Sequence, residues 1–327
     1  MTEMNKKTIS CIIACYKDEL AIPHMHARIV KTFQELNINY EIIFVNDSSP
    51  DNSEEVIREI SKKDSNVIGI NHRRNFGSQS AFLSGMKVSN GEAVVLMDGD
   101  LQDPPEIIKS FYEKWQEGYN IVYGIRNKRE VSFLTQFLYK TFYRIFNKVA
   151  SFKVPVDAGD FSLIDQESVR EILNFKESDI FLRAIRAYIG GRQIGVPYFR
   201  PERMFGTSTN NFFKNLGWAT KGILNVSRVP LTLISFTGAA LFGPGIIATI
   251  IFAFTVLSGG IDIDFDTLAI ILIINTFLIL IVIISIAATG EYVGRILEET
   301  KQRPRYLVSS YIQDGMIKKT LTRKGQE

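Results

Sequence analysis

Asp98-Gly99-Asp100 closes an apolar run, Ala93-Val94-Val95-Leu96-Met97. Two carboxylates at i and i+2, where an extended segment ends, can hold one divalent cation against a pyrophosphate. Hard oxygen donors of this kind suit Mg²⁺ or Mn²⁺ rather than zinc. The residues that follow, Leu101-Gln102-Asp103-Pro104-Pro105-Glu106, read as a loop feeding a helix start, because proline fits a first helical turn. Surface turns produce the D-x-D pattern too. This copy is set apart by its place after a hydrophobic strand.

Three more polar clusters follow apolar runs. Tyr16-Lys17-Asp18-Glu19 comes after Thr8–Cys15 (TISCIIAC). Asn46-Asp47-Ser48-Ser49-Pro50-Asp51 comes after Tyr40–Val45 (YEIIFV), and Arg73-Arg74-Asn75-Phe76-Gly77 comes shortly after Asn66–Ile70 (NVIGI). Every strand must end in something polar, which accounts for the Ser and Pro. It accounts less well for an Asp, an Arg pair and a D-x-D gathered on one edge.

The elements that must position these clusters alternate. Helical spacing covers Glu19–Leu36, Ser53–Lys62, Ser78–Val88 and Pro105–Glu117, with Asp51-Asn52-Ser53 supplying N-cap residue types and a further strand at Asn120–Tyr123. This βαβα rhythm predicts an α/β fold, a mostly parallel Rossmann-like sheet with helices on both faces. Ligands of such sheets gather beyond the carboxyl ends of the strands.

The 327 residues exceed one typical domain, and the 46% hydrophobic content is unevenly spread. Leu231–Leu257 and Leu268–Gly290 carry no charged side chain. Each reaches the roughly 20 apolar residues that cross a bilayer core. A soluble core helix is seldom uncharged on every face for so long. Gly243-Pro244-Gly245, inside the first run, would break a soluble helix, whereas neighbouring groups in a membrane can satisfy the freed backbone.

The loop between the spans, SGGIDIDFDT, has three Asp and no Lys or Arg, while Arg295, Lys301, Arg303, Arg305, Lys318, Lys319, Arg323 and Lys324 follow the second span. Lys214, Lys221 and Arg228 precede the first. Positive residues stay on the cytoplasmic side, so both ends are expected there, with the chain multi-pass in the inner (plasma) membrane. MTEMNKKTIS has no long apolar stretch, so secretion of the N-terminal part is not expected. The expected division is a cytosolic domain over 1–228, two spans within 229–292 (about 230–257 and 267–290) and a basic cytosolic tail over 293–327, its last dozen residues mobile. Ser132–Val149 and Asn210–Val226 mix aromatic residues with spaced Lys and Arg, as helices lying in a lipid interface do.

A net charge of +3 leaves no nucleic-acid footprint. Cys11 and Cys15 share one cytosolic strand, which favours buried packing over a disulfide or a zinc site. His24 and His26 face different ways on a helix and receive no role.

With IIACYKDE, EIIFVNDSSPDNS, RNFGSQSAFLSG, VVLMDGDLQDPPE, VYGIR, DAGDFSLID and RPERMFGTS together, the chain resembles the family 2 glycosyltransferases of the dolichyl-phosphate-mannose-synthase type. More narrowly it resembles bacterial polyprenyl-phosphate (bactoprenol) glucosyltransferases with two C-terminal spans. One departure is Ala14-Cys15-Tyr16-Lys17, where relatives read Pro-x-Tyr-Asn. It touches the nucleotide-side loop.

The resemblance implies a GT-A fold, with a nucleotide pocket at Ala14, Tyr16, Glu19 and Asp47. Asp47 would accept from a uracil N–H. It also implies metal ligands at Asp98, Asp100 and Gln102, and close approach of the nucleotide at Asn75 and Gly77. Arg126, Arg200 and Arg203 become candidates for gripping phosphate, as guanidinium groups do bidentately. Asp157 is the candidate for contacting the sugar or the reacting centre, with Asp160 as second choice.

The implied reaction moves a hexose, glucose first among them, from UDP-glucose to undecaprenyl phosphate in the bilayer, with inversion. GDP-mannose, UDP-N-acetylglucosamine or a modified pentose donor are alternatives. A lipid-linked-sugar flippase would be a downstream partner. Gly290 and Gly294 form a small-xxx-small pair consistent with a homo-oligomer. A processive synthase is disfavoured, because neither Trp115 nor Trp218 sits in a Gln-x-x-Arg-Trp motif. A catalytically silent membrane adaptor is disfavoured by the intact Asp98, Asp100 and Arg203.

Overall fold

The computed structural model describes residues 7–126, 158–178, 180–201, 229–258 and 265–319. Among these the chain divides into two compact units. One holds 7–126, 158–178, 180–201 and 304–319, and the other holds the two apolar helices.

The first unit is built on a single sheet. Strands β1 (Thr8–Cys15), β2 (Asn39–Asn46), β3 (Val67–His72), β4 (Ala93–Asp98), β5 (Ile121–Arg126), β6 (Ala158–Asp165), β7 (Gln193–Tyr198), β8 (Val308–Gln313) and β9 (Met316–Lys319) lie in the order β7-β5-β6-β4-β1-β2-β3-β8-β9. The centre, β3-β2-β1-β4, is parallel throughout. Outside it, β6 pairs antiparallel with both β4 and β5, β8 with β3, and β9 with β8, while β5 and β7 are parallel. The parallel character expected from the sequence therefore belongs to the core, and the sheet as a whole is mixed. Antiparallel strands enter from β6 and the β8–β9 hairpin, which the alternating βα pattern does not contain.

β1 shows why this sheet is buried on both sides. Ile9, Cys11 and Ile13 pack into one apolar cluster, and Ile12 and Ala14 into the other. Successive side chains of a strand point to opposite faces, so a continuous apolar run needs cover on both. Helix α1 (Ala21–Leu36) covers one face with Ile22, Met25, Ile29 and Phe33, joined by Phe111 of α4 (Ile108–Gln116). Helix α3 (Ser78–Val88) covers the other with Phe82 and Met86, together with Val169 and Ile172 of α5 (Gln166–Asn174) and Leu182 and Ile185 of α6 (Leu182–Ile189). Helix α2 (Ser53–Lys63) turns Ile57 into the first cluster, with α1. Cys11 and Cys15 are buried free thiols.

The expected single helix from Pro105 begins instead as a 3₁₀ turn, Pro105–Ile107, before α4. The C-terminal stretch differs more. Part of the supposedly mobile end, Met316–Lys319, forms β9, and Asp314-Gly315 turns it back onto β8 with both φ angles positive. A two-residue Asp-Gly turn matches the twist of the strands it joins. The interface helices expected at 132–149 and 210–226 fall outside the described residues.

The second unit consists of α7 (Val229–Leu257) and α8 (Phe265–Thr300). Both are long and apolar enough to cross a membrane. At 1.5 Å per residue, even α7 extends about 40 Å, more than a hydrocarbon core of about 30 Å. Helix α7 runs on through Pro244.

Close packing of α3 on β1 sets a test. A Cβ added at Gly85 would lie 2.4 Å from Ile12 Cγ2, deep in the core. Ala favours a helix over Gly, but overpacking costs about 1–3 kcal/mol and outweighs that gain of about 1 kcal/mol. Gly85→Ala should therefore lower the apparent Tm of the purified protein, read by thermal denaturation; an unchanged or higher Tm would show that the α3–β1 contact is loose.

Candidate active site

The carboxyl ends of β1 to β4 open on one edge of the sheet, and three of the loops leaving it are strained. Lys17, Ser48 and Leu101 adopt left-handed backbone (φ 62°, 55° and 60°), half of the six non-glycine residues among those described that do so. Such conformations persist where surrounding contacts dictate them. At the D-x-D turn the reason is visible. Gly99 N–H donates to Ala14 O at 2.9 Å, extending the β1–β4 ladder by one bond. A Cβ at Gly99 would meet Ala14 O at 3.0 Å, Asp18 Oδ2 at 3.0 Å and Cys15 Sγ at 3.2 Å. Glycine between the two aspartates is what lets the chain pass so near β1 before Leu101 reverses it.

Asp98 and Asp100 emerge from this turn with Asp103 behind them. Arg200, just past β7, faces all three. Its Nη2 is 4.0 Å from Asp98 Oδ2 and 3.9 Å from Asp100 Oδ2, and its Nε is 3.8 Å from Asp103 Oδ1. Asp103 is buried and accepts a 2.6 Å bond from the Tyr198 hydroxyl. Arg126, at the end of β5, is paired in register with Tyr198, and its charge works against the rise that burial and Asp103 impose on that phenol. Gln102 donates its backbone N–H to Asp100 Oδ1 at 3.1 Å and its side-chain Nε2 to Pro201 O at 3.2 Å.

Charge crowding governs this corner. Burial, tempered by the third of the Asp98 side chain that stays open, raises its carboxyl, and Asp103, Asp100 and Asp160 add to the rise, against Arg200. Together they push it up to about 8. Burial likewise raises Asp103, with Arg200, the Tyr198 hydroxyl and Arg126 working against it. A cation between Asp98 and Asp100 would relieve that repulsion, and the donors there are hard oxygens suited to Mg²⁺ or Mn²⁺. Among the described residues no group of three or more His, Cys, Asp or Glu forms a closed cage. Two carboxylates alone leave coordination positions for phosphate oxygens and water, as magnesium sites do. Two buried arginine nitrogens, Arg126 Nε and Arg200 Nε, have no hydrogen-bond partner among the described residues, so donors for an anion lie beside the acids.

Asp160 of β6, the second-choice acid of the sequence reading, is held in an ion pair. Arg183 Nε and Nη2 reach its two oxygens at 3.1 and 3.0 Å, and Arg186 donates to Gly159 O at 2.7 Å. Burial alone would raise the Asp160 carboxyl, but Arg183, Arg186 and Gln79 hold it down to about 2. The partners move unequally: burial pushes Arg186 down to about 10 despite Asp160, so Arg183 carries most of the compensation.

The residues that the resemblance assigns to a nucleotide pocket sit on the β1–β3 part of the same edge. Ala14 is paired in register with Asp98, and Tyr16 is exposed. Glu19 accepts from Asn52 N–H at 2.7 Å, ahead of α2. Asp47 is buried, and its carboxylate already accepts from Phe76 N–H at 2.9 Å and Gly77 N–H at 2.7 Å, with His72 Nδ1 at 2.7 Å. Asp47 thus holds the 73–77 loop, where Asn75 is exposed. A Cβ at Gly77 would meet nothing within 4 Å, so the structure needs glycine there for its φ of +89°. His72 Nε2 is 2.9 Å from Ser84 Oγ. This Asp-His-Ser line resembles a hydrolytic triad in order only, because all three side chains are buried.

Asp98, Asp100, Gln102, Arg126 and Arg200 are therefore gathered at one corner, and Ala14, Tyr16, Glu19, Asp47, Asn75 and Gly77 line the neighbouring stretch of edge. Asp157 and Arg203 lie outside the described residues. The sequence reading passed over Asp103, Tyr198, Arg183 and Arg186. Asp103 was legible as a third acid in the same run, whereas Tyr198 closes a strand that the sequence reading did not identify.

The chain has relatives among known proteins. A family model described as glycosyl transferase family 2 matches residues 10–173. An uncharacterized glycosyltransferase of Bacillus subtilis, YkcC, is 36% identical over 300 residues, 91% of this chain and 92% of its own. The bactoprenol glucosyl transferase of Shigella phage SfX is 35% identical over 311 residues, 92% of this chain and 99% of its own. Among solved structures, the mannosyltransferase PcManGT from Pyrobaculum calidifontis, in complex with GDP-Man and Mn²⁺, is 15% identical, with a TM-score of 0.48 over 91% of this chain and 85% of that one.

The Asp160 pair makes a pH-dependent contribution to stability. Its folded value of about 2 lies below the ordinary 3.8, so the stabilisation is complete above about pH 4 and drains away as pH falls toward 2. A shift of nearly two units corresponds to about 2 kcal/mol. Asp160→Asn should be the less stable protein at pH 6, with the gap to wild type closing below pH 3 in thermal melts; a gap independent of pH would contradict the assignment.

Proposed function

Because the chain belongs to glycosyltransferase family 2, we propose that it transfers a hexose from a nucleotide sugar to a polyprenyl phosphate, and more narrowly glucose from UDP-glucose to undecaprenyl phosphate. The observation that carries this reading is the acid pair Asp98 and Asp100 at the carboxyl edge of β4, with Arg126 and Arg200 beside it. The bactoprenol glucosyl transferases supply the acceptor and the sugar by similarity along nearly the whole chain.

Asp98, Asp100 and Gln102 would hold Mg²⁺ or Mn²⁺, which when bound neutralises charge on the departing diphosphate. The chain's own residues do the rest. Tyr16, Asn75 and Gly77 line the nucleotide end. Arg126, Arg200 and Arg203 grip phosphate. A lipid phosphate is already an anion at neutral pH, so it attacks the anomeric carbon without a strong base and needs mainly orientation and charge compensation. Direct attack inverts that carbon and releases UDP. Asp157 contacts the sugar or the reacting centre.

The topology supports a membrane setting. Strands on both flanks of α7 and α8 share one sheet, through the β3–β8 pairing. Both flanks must then lie on one side of any membrane the helices cross, which agrees with two crossings and with positive charge on a cytoplasmic side. A flippase is the fitting consumer of the lipid-linked sugar, and the Gly290 and Gly294 face of α8 is open for self-association.

Asp100→Ala should abolish turnover, by more than about a hundredfold, while the protein still inserts and melts cooperatively. UDP release on adding undecaprenyl phosphate and Mn²⁺ is the readout, and activity near wild type would remove the acid pair from the mechanism. A donor screen with UDP-glucose, UDP-N-acetylglucosamine and GDP-mannose should favour UDP-glucose. Release from none of them would favour the adaptor reading instead.

A further inference from the structure

The segment that follows the second apolar helix is part of the nucleotide-side edge. Tyr306 stacks on His72, with ring centroids 5.5 Å apart and planes 12° from parallel. Leu307 O accepts from Arg73 N–H at 2.8 Å, at the root of the 73–77 loop. Ser309 Oγ donates to Asn71 O at 3.0 Å, and Asn71 Nδ2 donates to Ser310 Oγ at 3.0 Å. Asn71 Oδ1 in turn accepts from Asn46 Nδ2 at 2.9 Å, and Asn46 Oδ1 accepts from Ser49 N–H at 2.9 Å. One strand close to the C-terminus thus braces the loops leaving both β2 and β3.

His72 is the centre of that brace. One face of its ring is covered by Tyr306, and Phe76 meets it edge-on at 5.7 Å. Its nitrogens reach Asp47 and Ser84. Asp47 carries the amides of Phe76 and Gly77. The β3–β8 register shifts between Asn71 and His72, and His72 pairs with Val308 beyond that irregularity. The Tyr306 ring lies flat on an imidazole whose nitrogens reach Asp47 and Ser84, and Asp47 links that ring to the amides of the loop.

We propose that Tyr306 is a positioning residue for the nucleotide: by stacking on His72 it fixes the Asp47-held 73–77 loop against the donor, so donor affinity depends on a side chain synthesised only after both apolar helices. This rests on the reading of the 73–77 loop as the nucleotide side of a glycosyltransferase. Tyr306 touches neither substrate, and its effect falls on the donor alone. The phenol oxygen plays no part in the stack, so phenylalanine serves as well.

The test uses the full-length protein in detergent with Mn²⁺. UDP and GDP binding are measured by calorimetry, and donor and acceptor KM by steady-state kinetics. Tyr306→Ala should weaken nucleotide binding and raise donor KM roughly three- to tenfold, the range an aromatic pair implies. Acceptor KM and kcat should stay within about twofold, and Tyr306→Phe should restore the wild-type nucleotide Kd. If Tyr306→Ala does not fold, Tyr306→Leu keeps the apolar bulk without a flat ring and is held to the same expectation. An unchanged nucleotide Kd in a variant lacking the ring, or equal losses in donor KM, acceptor KM and kcat, overturns the proposal while leaving the enzyme reading intact. Failure of the wild type to bind either nucleotide removes the donor-site reading, and the proposal with it.

Discussion

Like charges confined at the end of a strand are the constraint on which the rest of this molecule turns. Asp98, Asp100 and Asp103 fall within six residues, and Asp160 adds a fourth carboxyl nearby. Water would screen such a cluster, but the sheet edge holds it partly out of water, where repulsion is stronger. The fold answers with arginines from distant stretches of chain: Arg126 from β5, Arg183 and Arg186 from α6, and Arg200 after β7. The antiparallel insertion of β6 makes this possible. It brings Asp160 beside β4 and carries β5 and β7 along its other side.

The acid cluster divides its labour. Asp160 is neutralised within the protein by a bidentate arginine, and Asp103 is anchored by Tyr198. Asp98 and Asp100 have Arg200 at about 4 Å, beyond hydrogen-bond distance, and Asp100 also accepts the Gln102 backbone N–H. The raised Asp98 carboxyl marks excess negative charge at this corner, which an external cation would relieve. The strained backbone at Leu101 belongs with this, because the turn that aims Asp100 inward is one a relaxed chain would avoid.

The parallel core was legible in the sequence because physics leaves few alternatives there. Runs such as Cys11–Cys15 and Ala93–Met97 are apolar at consecutive positions, and only a strand covered on both faces uses them. The apolar helices were legible for a similar reason. The edges were not. Gln193–Tyr198 is partly exposed and contains Pro197, so neither alternation nor apolar continuity marks it. Val308–Lys319 carries a hairpin signal in Asp314-Gly315, but its lysines read equally as a basic tail. Its partner, β3, lies more than 200 residues upstream, and no local pattern states such a pairing. Within the site, residue types at strand ends located the acids and the glycine turns. They did not reveal that Asp47 is consumed by His72, Phe76 and Gly77, since that depends on how a loop folds back.

The central claim, that Asp98 and Asp100 hold a divalent cation jointly with a nucleoside diphosphate, is tested most directly by titrating Mn²⁺ into the full-length protein and following free Mn²⁺ by electron paramagnetic resonance, with and without UDP. The account predicts that UDP tightens Mn²⁺ binding at least about tenfold in the wild type, because diphosphate oxygens complete the coordination that two carboxylates leave open, and that this coupling vanishes in Asp98→Asn. Mn²⁺ affinity indifferent to UDP, or coupling that survives in Asp98→Asn, would contradict it.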